Sequence, residues 1–280
     1  MRILITGGAG FFGKAFTKHA LKQEGVTVCI YSRNEFNQFQ MRQEFNDDER
    51  LRFFIGDVRD RDRLRRAMEG CDVVIAAAAL KRIEVGAYNP TEMTKTNVIG
   101  TMNTVEAAMD AGISKVVYLS SDKAFEPVSP YGHSKAMAES IILSANNMRG
   151  SIGPLFCVTR YGNVSGSTGS VIPIWRKMIA EGITRVPVSD PECTRFWMHA
   201  DEAVALVIKA LHEMKGGDMF IPDWLPAYRL GDLAEAMGVE MDIRGIGLYE
   251  KRHESMDHGL SSDKARRMTV DEIREALKNV

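Results

Sequence analysis

Tyr131 and Lys135 stand four residues apart at the start of a stretch that reads as a helix to about Asn147, so their side chains share one helical face. Just upstream, Ser120-Ser121-Asp122-Lys123 follows the apolar run Val116-Val117-Tyr118-Leu119, which reads as a buried strand. A polar cluster where a parallel strand emerges, facing a Tyr/Lys pair on the next helix, is a place for proton transfer. Free tyrosine titrates near pH ~10, so it serves as a base at neutral pH only beside a positive charge. The spacing gives that part to Lys135, and Ser121 or Ser120 is placed to hydrogen-bond the reacting oxygen.

A second constellation sits at the amino-terminal end. Thr6-Gly7-Gly8-Ala9-Gly10-Phe11-Phe12-Gly13 follows an apolar strand and opens a helix, the context in which a glycine pattern binds a dinucleotide. Gly7 permits the tight turn, Gly10 lets backbone approach a pyrophosphate, and Gly13 lets helix and strand pack closely. The helix start offers free N–H groups to the phosphates. An NAD site places an acid after the second strand. Here that strand ends Tyr31-Ser32-Arg33-Asn34, with Glu35 coming late. A hydroxyl and a guanidinium suit a 2′-phosphate, so NADP is expected ahead of NAD. Asp57-Val58, past the third strand, is expected near the adenine.

The elements that must hold these groups alternate strictly. Strands are expected at Arg2–Thr6, Val26–Tyr31, Leu51–Ile55, Asp72–Ala79, Lys115–Leu119 and Leu155–Tyr161, with helices or helical segments between them, including one long helix from Pro90 to Ala111. Such alternation means an α/β fold with a Rossmann-like, doubly wound parallel sheet. Residues 1–162 form the dinucleotide-binding domain, onto which the helix and strand of 200–222 are expected to pack. Residues 163–199 and 223–280, richer in glycine and proline turns, are expected to form a small carboxyl-terminal substrate-binding cap.

The 280 residues suffice for this arrangement, and a net charge of −1 argues against nucleic acid or a membrane surface as partner. No apolar run reaches the ~18 residues of a membrane span. Residue 1 leads straight into a strand, so no signal peptide and a cytoplasmic location are expected. The four dispersed cysteines read as buried reduced thiols. His253 and His258 are five apart with no HExxH pattern, so no metal site is expected.

Thr6-Gly7-x-x-Gly10-x-x-Gly13, Asn97-Val98-x-Gly100-Thr101 and Tyr131-x-x-x-Lys135 together resemble the extended short-chain dehydrogenase/reductases. Further stretches are more particular: Tyr31-Ser32-Arg33-Asn34-Glu35, Phe53 to Asp60, Ala77-Ala78-Ala79-Leu80-Lys81, Ser121-Asp122-Lys123-Ala124, Arg160 to Val164, Thr194 to Trp197, and Glu250-Lys251-x-His253-Glu254. They resemble the inverting UDP-N-acetylglucosamine 4,6-dehydratases that open the route to pseudaminic acid and related bacterial surface sugars. The resemblance spans about residues 2 to 254, and the Asp-Lys pair is its most specific element.

The resemblance implies an internal redox cycle on a UDP-sugar. C4 is oxidised with Tyr131 as base, the C5 proton leaves, the C6 hydroxyl is expelled, and hydride returns to C6. It implies Lys123 as the C5 base and Asp122 as the acid at C6, an amine and a carboxyl both uncharged in a dry pocket. Adjacent strand residues point to opposite faces, so the chain must bend for both to reach the sugar. Ala77, Ala78, Lys81 and Asn97 are expected on the cofactor. Lys81, Asn163, Arg195 and Glu254 are expected on the sugar nucleotide, and the helices Pro90–Ala111 and Tyr131–Asn147 in a dimer or hexamer contact.

Two departures stand out. Relatives carry Arg-Pro-Gly before Glu-Lys-x-His-Glu, where this chain has Gly247-Leu248-Tyr249 and its nearest upstream arginine is Arg244. The carboxyl-terminal region is also shorter than usual. A UDP-hexose 4-epimerase shares Tyr131 and Lys135 but has no need of Asp122-Lys123, and a retaining dehydratase would show Asp-Glu there. A 5,6-dehydratase shares the opening half-reaction. A non-catalytic NADP-binding regulator would not need both sets.

Overall fold

A computed structural model describes residues 1–280. Eleven strands appear in chain order: β1 (Arg2–Thr6), β2 (Thr27–Ser32), β3 (Leu51–Ile55), β4 (Val73–Ala76), β5 (Lys115–Leu119), β6 (Leu155–Thr159), β7 (Arg185–Val188), β8 (Thr194–Phe196), β9 (Met219–Phe220), β10 (Ala227–Arg229) and β11 (Glu240–Ile243). Seven form one parallel sheet in the order β3-β2-β1-β4-β5-β6-β9. The order reverses between β1 and β4, and a crevice opens at the carboxyl ends of strands on either side of such a reversal.

Residues of the central strands β1, β4 and β5 are buried on both faces, as a parallel sheet covered by helices requires. Ile3 and Ile5 of β1 enter one core with Phe16 and with Val204 and Val207 of the Ala200–Glu213 helix, whereas Leu4 enters the opposite core with Val74, Ala108 and Ile142. A third cluster, built on Trp175, Trp197, Tyr228, Leu233 and Ile273, gathers the later segments. There β8 pairs antiparallel with β10, and β7 parallel with β11. All four cysteines are buried free thiols. No helix is long and apolar enough to cross a membrane.

The expected helix from Pro90 to Ala111 runs as one rod to Asp110, but it carries a π-helical turn at Lys95–Ile99. A helical pattern conceals such a turn, and π-turns gather at functional sites. Asn97 lies inside it, buried and aimed at the loop after β4.

Candidate active site

The glycine loop turns where the sheet order reverses. Gly7 has φ +68°, and a Cβ there would stand 3.0 Å from the Ala78 backbone. A Cβ on Gly13 would come within 2.1 Å of the Gly8 carbonyl oxygen. No side chain caps the following Phe11–Ala20 helix, which leaves its first N–H groups for an anion. Gly7, Gly10, Ser32, Arg33, Asn34, Asp57, Val58 and Ala78 all line one cleft. Thr96 lines it too, with a buried hydroxyl that has no protein partner. These side chains and the glycine cradle fit a dinucleotide.

Several of the expected cofactor contacts also bond or pack within the protein. Phe12 packs against Phe16 at 6.0 Å between ring centres. The Ala77 and Ala78 amides donate to Thr6 Oγ1. Asn97 holds both the N–H and the carbonyl of Leu80 and donates to Ser134 Oγ at 2.9 Å. It therefore ties the β4 loop to the Tyr131 helix, a positioning contact within the protein. Phe11 is half-buried and Lys81 exposed.

The sequence reading missed Gln38, which donates to Ser32 Oγ at 2.9 Å. That bond occupies an acceptor site and leaves the serine O–H free to donate. Arg33 is half exposed and lies 3.8 Å from Asp57. Burial opposes ionisation of Asp57, but Arg59 at 2.6 Å and Arg33 hold its carboxyl below the usual range. Removing the Arg33 charge by Arg33→Ala is expected to weaken NADP binding by about 10- to 100-fold while leaving NAD nearly unchanged. Parallel fluorescence titrations with the two cofactors check this, and equal losses would exclude a 2′-phosphate contact.

Around the second constellation, Ser129 caps the Pro130–Met148 helix by accepting from the Gly132 N–H, with Pro130 at the first helical position. A Cβ on Gly132 would stand 2.4 Å from the Lys123 carbonyl oxygen, so the glycine lets this helix close onto the Asp-Lys segment. Asp122–Ala124 forms a 3₁₀ turn capped by Ser121. The turn supplies the required bend and brings both side chains together, with Lys123 Nζ 3.1 Å from Asp122 Oδ1. Asp122 is fully buried, accepts from Ser121 Oγ at 2.8 Å, and has its Oδ2 unpartnered.

Lys123 is not the neutral amine expected. Its Nζ also donates to Asn163 Oδ1 at 2.9 Å and lies 3.5 Å from Glu254 Oε1. Burial disfavours the ammonium, yet the charges of Asp122 and Glu254 outweigh burial and raise its pKa. The carboxyl half of the expectation does hold in direction: burial raises Asp122 above the ordinary carboxylate value.

Lys135 differs as well. Its Nζ donates to Tyr118 Oη at 2.9 Å and to the Leu119 carbonyl at 2.5 Å, over the Tyr118 ring. Burial lowers its pKa to about 7. Burial raises the pKa of Tyr131, and the groups opposing that rise are Lys123 and Ser121. The cation acting on Tyr131 is thus Lys123, with Lys135 fixed by Tyr118.

The unfolded chain holds the Lys135 proton up to pH 10.5, whereas the folded chain releases it near 7. Between those values the unfolded state binds more protons, so this residue makes stability rise with pH, by up to about 1.4 kcal/mol per pH unit. Lys135→Met should remove that slope and stabilise the ligand-free protein below pH ~7, as read by urea unfolding of both forms across pH. An unchanged slope would contradict the assignment.

A cleft of about 470 Å³ opens beside Lys123, lined by Ser129, Asn163, Arg195, Glu250, Lys251 and Glu254, with Ile83, Leu248 and Tyr249 among the apolar lining. Arg195 is buried and donates to Glu250 Oε1 at 2.7 Å. Arg244 is turned away, exposed and paired with Asp242 at 3.0 Å. It does not replace the arginine missing before Glu250. Glu254, expected on the substrate, lines this cleft and pairs with Lys123 and with Lys251 at 3.0 Å.

Strand order, glycine cradle and Tyr/Lys helix together define an extended short-chain dehydrogenase/reductase of the dehydratase and epimerase group. The chain belongs to the polysaccharide biosynthesis protein family, whose profile matches residues 3–276. It is 44% identical over 264 residues to a UDP-N-acetylglucosamine 4,6-dehydratase (inverting) of Campylobacter jejuni, covering 93% of this chain and 78% of that one. It is 38% identical over 264 residues to a UDP-glucose 4-epimerase of Rickettsia rickettsii, covering 91% and 76%. The crystal structure of Pen from Bacillus thuringiensis superposes with a TM-score of 0.94 at 34% identity, covering 100% of this chain and 98% of that one.

Proposed function

We propose that this sugar-nucleotide dehydratase acts on UDP-N-acetylglucosamine with NADP, removing water across C5 and C6 with inversion at C5. The observation that carries the reading is the Asp122–Ala124 turn, which sets a carboxyl and an amine 3.1 Å apart, with Lys123 lining the cleft and Asp122 fully buried next to it. An epimerase moves no proton at C5 and expels no hydroxyl, so it needs neither group.

The glycine cradle, Ser32, Arg33 and Thr96 hold the dinucleotide, which supplies the hydride acceptor for C4 and the donor for C6. Tyr131 takes the proton of the C4 hydroxyl, with Lys123 and Ser121 working against the burial that raises its pKa. Once C4 is a ketone, the C5 hydrogen is acidic and Lys123 in its amine form removes it. Asp122 delivers its proton to the departing C6 hydroxyl, which leaves as water. C5 then takes a solvent-derived proton on the face opposite the one Lys123 stripped, which inverts it. Both groups reach their working forms by one move: the ammonium passes a proton along the 3.1 Å contact to the Asp122 carboxylate. Burial favours the neutral pair that results, against the pull of Glu254 on the ammonium. Arg195 and Asn163 meet the UDP portion, Arg195 leaving Glu250 for the diphosphate. Self-association uses the exposed apolar face of Ile99, Met102 and Met137 on the two long helices.

Incubation of purified protein with UDP-N-acetylglucosamine and NADP in heavy water tests the reading. The expected product is a 4-keto-6-deoxy sugar with deuterium at an inverted C5 and no net reduced cofactor. Recovery of a C4 epimer with unlabelled C5 would establish epimerisation in its place.

A further inference from the structure

Glu254 is 3% exposed in a cleft meant for an anionic substrate, where a carboxylate should repel a diphosphate. Its position is built rather than incidental. The Glu254 N–H donates to Ser262 Oγ at 2.8 Å, and the Ser262 N–H returns a bond to the Glu254 carbonyl at 2.7 Å. Ser262 Oγ in turn lies 2.6 Å from Thr194 Oγ1 on β8. One carboxylate oxygen faces Lys123 Nζ at 3.5 Å, and the other faces Lys251 Nζ at 3.0 Å.

We propose that Glu254 is a positioning residue that sets the charge of Lys123, stabilising from 3.5 Å the ammonium formed when the amine takes up the C5 proton. This rests on the reading of Lys123 as the C5 base. In that step the C5–H bond breaks, an N–H bond forms on Lys123, and the electron pair passes to the C4 carbonyl oxygen. Positive charge appears on Nζ, facing a carboxylate that keeps its own charge. Burial works against the Glu254 carboxylate, but Lys123, Arg195 and Lys251 hold its pKa below the usual value.

The groups acting on Lys123 come from every side. Asp122 lies on its own turn, Asn163 follows β6, Tyr131 is on the next helix, and Arg195 is on β8. Lys81 acts from the β4 loop and Glu254 from the carboxyl-terminal segment. Asp122 and Glu254 are the anions among them. Asp122 is protonated when the base works, which leaves Glu254 as the one negative charge beside Nζ at that moment.

Rates of C5 deuterium entry and of turnover, measured across pH with UDP-N-acetylglucosamine and NADP, separate this role from others. Glu254→Gln keeps the shape and both backbone bonds to Ser262. It is expected to move the ascending limb of kcat down by about one pH unit or more and to slow C5 exchange about tenfold or more, with KM changed less than about threefold. Glu254→Asp should restore part of the limb. Lys251→Met, which strips a neighbouring cation, should move the limb upward. A Glu254→Gln enzyme with its limb unmoved and KM raised overturns the proposal in favour of a substrate contact, and an unmoved limb with kcat alone reduced overturns it in favour of a scaffold role. Lys123→Ala runs alongside: if C5 exchange survives there, the base assignment fails and the proposal fails with it, a result distinct from failure at Glu254 alone.

Discussion

Lys123→Ala should stop deuterium entry at C5 and lower turnover about 10³-fold, the scale of a lost general base. Oxidation at C4 should persist at a reduced rate, because Tyr131 loses the cation that opposes its burial-raised pKa, and it stays visible as a rise in reduced-cofactor absorbance on mixing with the sugar nucleotide. The dissociation of the two half-reactions is the informative part. Tyr131 takes the first proton with none passing through Lys123, whereas the second step depends on the amine at Lys123. The substitution also strips the cation from between Asp122 and Glu254, both buried. Breaking a buried pair costs about 3–5 kcal/mol, so the variant should melt lower, and unfolding must be followed beside activity. Lys123→Met fills the space and gives the same kinetic outcome if the loss is chemical. Near-normal turnover in either folded variant would remove Lys123 from the base role.

The sheet was legible because buried parallel strands are continuous apolar runs. Lys115–Leu119 and Arg2–Thr6 fall where the pattern puts them. Apart from β9, which lies in the strand expected within 200–222, the later strands gave no such signal: β7 contains Pro187 and pairs only with β11, and β8 and β10 have three residues each. The site divides in the same manner. Tyr131 and Lys135 are joined by helical spacing, and the glycine cradle by its strand–turn–helix setting, so local pattern finds both. The charge of Lys123 is set by Glu254, whose approach depends on the loop closed by Ser262. The direction of Lys135 is set by Tyr118 on β5. Neither follows from spacing, because each arises from tertiary packing and burial, and these turned a presumed neutral base into an ammonium and a presumed cation into a group titrating near 7.

Asp122→Asn should separate the remaining step. The amide keeps the size of the side chain and its place beside Ser121, but it has no acidic proton for the C6 oxygen. Loss of C6 hydroxide should therefore slow by about 10²- to 10⁴-fold. C5 exchange should persist, because Lys123 remains and has lost one of its two neighbouring anions, which lowers its pKa and leaves more of it as amine. The expected mixture holds a C5-deuterated 4-keto hexose with its C6 hydroxyl in place and cofactor trapped in the reduced form. In the wild type, burial holds the Asp122 carboxyl above its ordinary value, so the acid form survives to higher pH than an exposed aspartate allows. The elimination rate should fall as pH climbs past that raised value, and Asp122→Asn should abolish that descending limb. Product NMR with stopped-flow absorbance reads both effects. If the variant forms the 6-deoxy product at wild-type rate, the proton comes from another donor, and the unpartnered Oδ2 of Asp122 has no part in the elimination.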